Sequence, residues 1–424
     1  MCVVKQTTAR RWVQILLLSA LLQACSATPS PVEPTEDFYA RTQTQTQNSV
    51  TVTAGVPSSD EAKRLFNKPL YSQGVQPVWL KISNLQDEAI TFLPVGLDPE
   101  YFSPIEAANT QLTVETDEQL TADIDKSLFQ HGIDLEVPAG ETREGFIFSS
   151  VDEGTKSFNV DLMDSENNLT TMTFFIPVPG LQIDHYDFDQ ETLYTEDELL
   201  ELNTDELQSY IEAQTCCTTD QKAEGSGDPL NLVVIGDPAE VYAALIRAGW
   251  DETETVTRSS SWKTVKSFVS GGEYRYSPVS NLYVFGRPQD GAFQKARDNI
   301  HERNHLRLWM SPARYQGQPV WLGQISRDIG VRLTTKTITT HKIDPDVDEI
   351  REYLLENLAY SQSLEKFAYI GGAISAPIDA PRGNLTGDPY FTDGYRVVLW
   401  VTRTPVDISE LEFIKWQLPY RPAQ

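Results

Sequence analysis

His301-Glu302-Arg303-Asn304-His305 sets two of the chain's five histidines four residues apart, with a glutamate after the first. On a helix, that H-E-x-x-H spacing would turn both imidazoles to one face as zinc ligands, with the glutamate as base. The flanking residues argue otherwise. Ala292, Phe293, Ala296 and Ile300 are spaced as on a helix ending near His301, whereas Leu306, Leu308 and Met310 alternate as on a strand. Arg303 would also put a cation between the ligands. A chance match at a helix-to-strand connection is the better reading. A second cluster, His341 through Glu349, offers Asp344, Asp346 and Asp348 as the first three positions of a calcium loop. Its sixth position is Glu349 where glycine is needed, and its twelfth is Leu355 where glutamate is needed. Asp346 fits better as a helix N-cap with Glu349 as its third-residue partner. Asp184, Asp187 and Asp189 match no calcium spacing and read as a solvated acidic face.

The elements that must position these residues fall into two regions. Between Ser49 and Pro179, short alternating runs such as Val50–Thr53, Val78–Ile82, Phe158–Leu162 and Met172–Ile176 are punctuated by Gly, Pro, Asn and Asp. They predict an N-terminal all-β, immunoglobulin-like antiparallel sandwich over residues 49–179. One short helix interrupts near Asp60–Phe66, with Ser58 and Glu61 placed as a capping box. Residues 180–227 read as an acidic helical linker, with caps at Thr195/Glu198 and Asn203. From Asp228 to residue 405 the pattern is α+β. Leu232–Ile235 predicts a buried strand and Ala239–Ala248 a helix stopped by Gly249. Strands follow near Leu282–Phe285, Leu306–Met310, Val320–Ile325 and Arg332–Thr339. Val347–Ala359 predicts a helix and Tyr395–Thr402 a last strand, before a tail at 406–424. The whole chain is therefore multidomain.

Lys5, Arg10 and Arg11 precede the apolar run Trp12–Leu22, which is shorter than the roughly 20 residues needed to span a bilayer but suits a signal peptide. The run ends in Leu22-Gln23-Ala24-Cys25, which resembles the lipobox of bacterial lipoproteins. That resemblance implies a signal peptide over residues 1–24 and a lipid, palmitate included, on Cys25. The implied location is the cell envelope, anchored to a membrane. Ser26, where inner-membrane retention would place Asp, favours the outer membrane. Residues 25–48, with three prolines and the repeat Thr42–Gln47, read as a flexible tether.

The net charge of −27 makes nucleic acid and anionic headgroups poor partners; the implied envelope location instead offers another envelope protein as a partner. With 40% hydrophobic and 10% aromatic residues the chain is globular. Cys216 and Cys217 are adjacent, and neighbouring Cα atoms lie closer than the usual disulfide range. They read first as two free or structural thiols, with a vicinal disulfide or an intermolecular bridge as the other readings. No Walker loop, dinucleotide fingerprint or G-x-S-x-G elbow occurs, and no cofactor is implied.

From Asp228 to about Thr402 the sequence resembles the C-terminal domain of LssY proteins. The resemblance rests on Pro229–Gly236, Ala248-Gly249-Trp250, Ser277–Arg287, Arg303–Trp309, Trp321-Leu322-Gly323, Ser326–Gly330 and His341–Arg351. It implies no established chemistry. Some LssY-type proteins join this domain to a membrane phosphatase domain, but here a lipobox and a β-rich region precede it, so no lipid-phosphatase activity is implied. The resemblance does mark His305, Arg307, Arg327, Asp328, His341, Asp344 and Arg351 as pattern residues. They could form an ion-pair network that fixes the fold, a ligand or anion site, or a catalytic centre. Two functions follow. The first is a non-enzymatic envelope lipoprotein that binds or scaffolds a partner. The second is a metal-dependent or acid-base hydrolase using His305, Asp328, His341 and Asp344, for which His305 and His341 must converge.

Overall fold

The computed structural model describes residues 34–110, 126–180, 190–253, 279–296, 303–332 and 340–419. The expected signal peptide, Cys25, the acidic triplet at 184–189 and His301 lie outside these residues. Among the described residues no helix is long and apolar enough to cross a membrane, which leaves strand-built barrels unaddressed.

The N-terminal region forms two four-stranded antiparallel sheets. Strands β1 (Gln43–Gln47), β2 (Val50–Gly55), β3 (Val75–Asn84) and β6 (Thr142–Ser150) make one, in the order β1-β2-β3-β6. Strands β4 (Ile90–Leu93), β5 (Glu136–Val137), β7 (Thr155–Met163) and β8 (Leu169–Pro177) make the other, in the order β5-β4-β7-β8. Period-two alternation turns Val50, Val52, Val78, Leu80 and Ile82 of the first sheet inward. They meet Ile90, Phe92, Phe158, Val160, Phe174 and Ile176 of the second in one buried cluster. The expected helix is present as Ser59–Phe66, and Ser58 and Glu61 close the capping box reciprocally. A second cluster, with Phe66, Phe146 and Phe148 at its centre, packs outside the first sheet.

One element departs from the tether reading. The Thr-Gln repeat is strand β1, paired residue for residue with β2. Thr44 and Thr46 point outward and bond Thr53 and Thr51 at 2.9 Å each. Gln43 and Gln45 point the other way and donate to the Phe175 and Thr173 carbonyls of β8, the latter at 2.6 Å. Polar composition suggests a loop, but β-branched threonines alternating with long amides suit a sheet edge.

The C-terminal region is built on a ten-stranded mixed sheet. In chain order its strands include β9 (Leu200–Leu202), β12 (Leu232–Ile235), β13 (Asp251–Glu252) and β16 (Gly291–Ala296). The long hairpin β17 (Arg303–Tyr315) and β18 (Gln318–Arg332) follows, then β19 (Thr340–Ile343), β20 (Leu364–Ile370), β23 (Arg396–Val401) and β24 (Glu412–Ile414). The main path runs β13-β16-β17-β18-β12-β23-β20-β24. Beside it lie a smaller sheet, β10 (Cys217–Thr219), β11 (Ser226–Pro229), β14 (Tyr283–Val284) and β15 (Arg287–Pro288), and a two-stranded pair, β21 (Arg382–Gly383) and β22 (Pro389–Tyr390). Helices Pro238–Arg247 and Val347–Tyr360 cover one face through Val241, Leu245, Ile350 and Leu354. Helix Thr204–Glu212 covers the other through Leu207 and Ile211.

Three expectations change. Ala292, Phe293 and Ala296 belong to strand β16, not to a helix, because Phe293 alternates into the core while pairing with Leu306. The acidic linker is not merely an exposed helix: β9 pairs with β17 and Leu207 and Ile211 are fully buried. The sheet likewise extends past residue 405, since β24 pairs with β20. The C-terminal region also contacts the sandwich, where the Glu252 carboxylate accepts from the Thr155 N–H at 2.6 Å and its Oγ1 at 3.1 Å.

Candidate functional site

Alternation along β17 makes the candidate site. Leu306, Leu308 and Met310 face the helices Pro238–Arg247 and Val347–Tyr360. Arg303, His305 and Arg307 therefore face the opposite side, with Trp309 beyond them in the other core cluster. Register extends this polar row across three strands. His305 lies opposite Gln294 of β16 and Ser326 of β18, and Arg307 lies opposite Gln324. Gln294, Arg303, His305, Arg307, Gln324, Ser326 and Asp328 are all buried. Asp228, at the end of β11, is buried on the same side and electrostatically coupled to Arg307 and Asp328.

Their bonds run across the strands. His305 Nε2 is 2.8 Å from Asp328 Oδ2. Burial holds the imidazole pKa below its ordinary value, with Asp328 opposing that effect and Arg303 and Arg307 adding to it. The ring is thus neutral at pH 7, and its Nε2–H donates to the acceptor-only carboxylate. Arg307 donates through Nη1 to Gln324 Oε1 at 2.8 Å and through Nε to the Ser280 carbonyl at 3.1 Å. Burial lowers its pKa to about 10, so it stays a cation at neutral pH. Arg303 Nη1 donates to Gln294 Oε1 at 2.9 Å. Burial pushes the Asp228 carboxyl up, while Asn384, which donates to it at 3.0 Å, and Arg307 pull it down.

The other pattern residues are elsewhere. Arg327 points to the opposite face, donating to Asn304 at 3.3 Å and to Glu349 of helix Val347–Tyr360 at 2.9 Å, with its guanidinium 5.9 Å from the Tyr353 ring centroid. Asp344 Oδ1 accepts from the Asp346 N–H at 3.0 Å, a local turn. Asp346 caps the helix as expected, accepting from the Asp348 and Glu349 N–H groups. Glu349 does not return to the cap, because Arg327 takes its carboxylate. Arg351, fully buried, sits among Asp348, Glu352 and Asp393 at 2.8–3.2 Å and donates to the Tyr395 carbonyl. Of the seven pattern residues, His305, Arg307 and Asp328 come together.

His341 is set apart by register. It pairs with Val331, five residues along β18 from Ser326, the partner of His305. Five strand residues span about 16 Å, whereas zinc–imidazole bonds of about 2.0–2.1 Å require far closer ligands. Its side chain lies outside the described residues. Among those residues no group of three or more His, Cys, Asp or Glu side chains is placed to hold a metal ion. Sequence reasoning missed Gln294, Gln324, Ser326 and Asp228 as members of the polar face. The signal was present in the alternation of Arg303, His305 and Arg307 with Leu306 and Leu308, but the partners on β16 and β18 depend on register.

Cys216 and Cys217 form a vicinal disulfide, where free thiols were the first reading, with their Cα atoms 3.7 Å apart. Cys217 is buried, its Sγ 3.9 Å from the Tyr390 hydroxyl. Arg396 stabilises the approach to it, donating to the Ile211, Gln214 and Thr215 carbonyls as well as to Leu230 and Gly372.

Residues 205–395 match the family model described as the LssY C-terminus. The match begins within helix Thr204–Glu212 and so takes in the helix, the disulfide, the polar face and the Arg351 network. No curated protein matches the chain.

Proposed function

We propose that this protein, whose C-terminal half is an LssY C-terminal domain, is a membrane-anchored cell-envelope lipoprotein that works by binding or scaffolding rather than by hydrolysis. The anchor is a lipid on Cys25, and the outer membrane is its site because Ser26 follows the cysteine. The N-terminal sandwich is then an immunoglobulin-like spacer or binding module between membrane and LssY domain. One observation carries the non-enzymatic reading: the residues that a hydrolase would recruit are separated. His305 and Asp328 lie on one face of the sheet, Asp344 shapes a turn, and His341 pairs far along β18. The residues that do converge form a donor-rich buried face suited to holding a ligand.

The test is metabolic labelling with an alkyne analogue of palmitate, followed by membrane fractionation. The wild-type chain is expected to carry the label and sediment with outer membranes. The Cys25→Ser variant should lose both properties. An unlabelled, soluble wild-type chain would overturn the anchor. A purified chain that hydrolyses ester or phosphoester substrates, and loses that activity in a His305→Ala variant, would overturn the binding reading.

A further inference from the structure

On the polar face of the central sheet, two buried side-chain donors find no acceptor among the described residues. Gln324 is fully buried, and its Oε1 is taken by Arg307, yet its Nε2 finds no acceptor among the described residues. Arg303, 3% exposed, likewise leaves its Nε without an acceptor. The bonds of Arg307 use Nε and one Nη1 hydrogen, leaving Nη2 uncommitted among the described residues. Asp228 and Asp328 act on the Arg307 charge from a distance, without a hydrogen bond to Gln324 Nε2 or Arg303 Nε. Asp328 Oδ2 receives the His305 bond and Asp228 Oδ1 receives Asn384. A buried donor without an acceptor forfeits its hydration with nothing in return, and two such atoms share this face. Native folds seldom tolerate that unless something supplies the acceptors.

We propose that Arg307 and its partner Gln324 form a cradle for an oxyanion, a phosphoryl or carboxylate group that supplies the missing acceptor oxygens. Arg307 brings charge and a planar fork matched to such a group. Gln324 Oε1 holds that fork in place through its bond to Nη1, which keeps the amide Nε2 beside the guanidinium. The cradle names the ligand class for the binding domain and rests on that reading of it.

The experiment titrates inorganic phosphate, and separately acetate, into the full-length chain in detergent at constant ionic strength set with chloride. Heat of binding and the thermal unfolding midpoint are both read. Saturable binding of either anion, with a raised midpoint, is expected, and the anion that binds tells phosphoryl from carboxylate. Gln324→Glu replaces the spare donor by an acceptor and gives Arg307 an ion pair, so the chain should fold while anion affinity falls at least tenfold. If Q324E does not fold, Gln324→Met removes the same donor without adding charge and should show the same loss. The oxyanion proposal is overturned if neither anion binds saturably below about 50 mM, or if folded Q324E or Q324M binds as wild type does. Palmitate labelling is unaffected by either outcome, so failure here leaves the lipoprotein reading to its own test.

Discussion

His305 on β17 and Asp328 on β18 share a 2.8 Å hydrogen bond inside the C-terminal domain, and the imidazole holds it in the neutral state. Burial is the largest cause of the lowered histidine pKa, so folding disfavours protonation of this ring. The sign follows directly. Above pH 6.5 the ring is neutral whether folded or unfolded, and the contribution to stability is intact. As pH falls from 6.5 through the lower folded pKa, the unfolded chain takes up the proton first and stability declines. The slope is at most about 1.4 kcal/mol per pH unit for one such group. Urea unfolding followed by tryptophan fluorescence between pH 5 and 7.5 should show that acidification costs the wild type more stability than it costs His305→Gln, the raised carboxyl pKa of Asp348 acting equally on both. His131, whose pKa burial also lowers, keeps part of the slope in both. Parallel pH profiles would show that His305 is not held neutral.

Arg351 leads to the opposite pH trend. Its fully buried guanidinium stands between Asp348, Glu352 and Asp393. Burial already raises the Asp348 carboxyl to about 6, with Asp393 adding to the rise and Arg351 opposing it. Arg351→Met would leave three carboxylates clustered without a cation. Breaking a buried ion pair from one side costs about 3–5 kcal/mol, and that loss is expected at pH 7.5. A carboxyl whose folded pKa is raised contributes stability at low pH and loses it as pH rises through that pKa. The deficit of the variant should therefore shrink toward pH 5. Denaturant midpoints of the two chains at pH 5 and 7.5 give the comparison, and a pH-independent deficit would count against the network.

How much of this was legible before the structure depends on the range of the interaction. Local chemistry read well: Ser58 with Glu61, Asn203 with Glu206 and Asp346 with its helix are caps settled within four residues. The alternation of Leu306, Leu308 and Met310 correctly gave a strand. Ala292 to Ala296 misled because Phe293 and Ala292 suit either period over so short a run, and pairing with β17 decides the matter. Gln43 to Gln47 misled because polar composition hides a strand whose purpose is to meet β8, about 130 residues away in sequence. The site was half legible. His305, Arg307 and Asp328 were named together, but nothing local separates them from Arg327, which one position of strand turns to the opposite face.

The edge of the sandwich gives a third prediction. Gln43 both donates to the Phe175 carbonyl and accepts from the Phe175 N–H, and Gln45 donates to Thr173, so two side-chain amides occupy backbone positions along β8. An open edge strand is a template for association. Gln43→Thr with Gln45→Thr keeps the strand propensity of β1 while removing both amides. The double variant is expected to lose about 1–2 kcal/mol and to associate more strongly with concentration than wild type. Sedimentation velocity across a concentration series reads this directly. Unchanged association would mean that something other than the glutamines shields the edge of β8.

Arg396 gives the fourth. Its side chain is fully buried, and its five bonds all go to main-chain carbonyls, those of Ile211, Gln214, Thr215, Leu230 and Gly372. Ile211 lies in the last turn of helix Thr204–Glu212, where a cation also answers the helix dipole. Burial lowers the guanidinium pKa to about 10, which still leaves it charged at neutral pH. Lysine would bring three donors radiating from one nitrogen in place of a planar fork of five. Arg396→Lys thus leaves at least two carbonyls bare, a loss of about 2–4 kcal/mol. Gln214 and Thr215 lead straight into Cys216, so the same variant should loosen the segment holding the Cys216–Cys217 disulfide. Exposure to dithiothreitol, with the thiols alkylated at intervals and counted by mass, should show faster reduction in R396K than in wild type. Equal rates in a destabilised variant would separate the disulfide from the arginine and confine Arg396 to anchoring the helix.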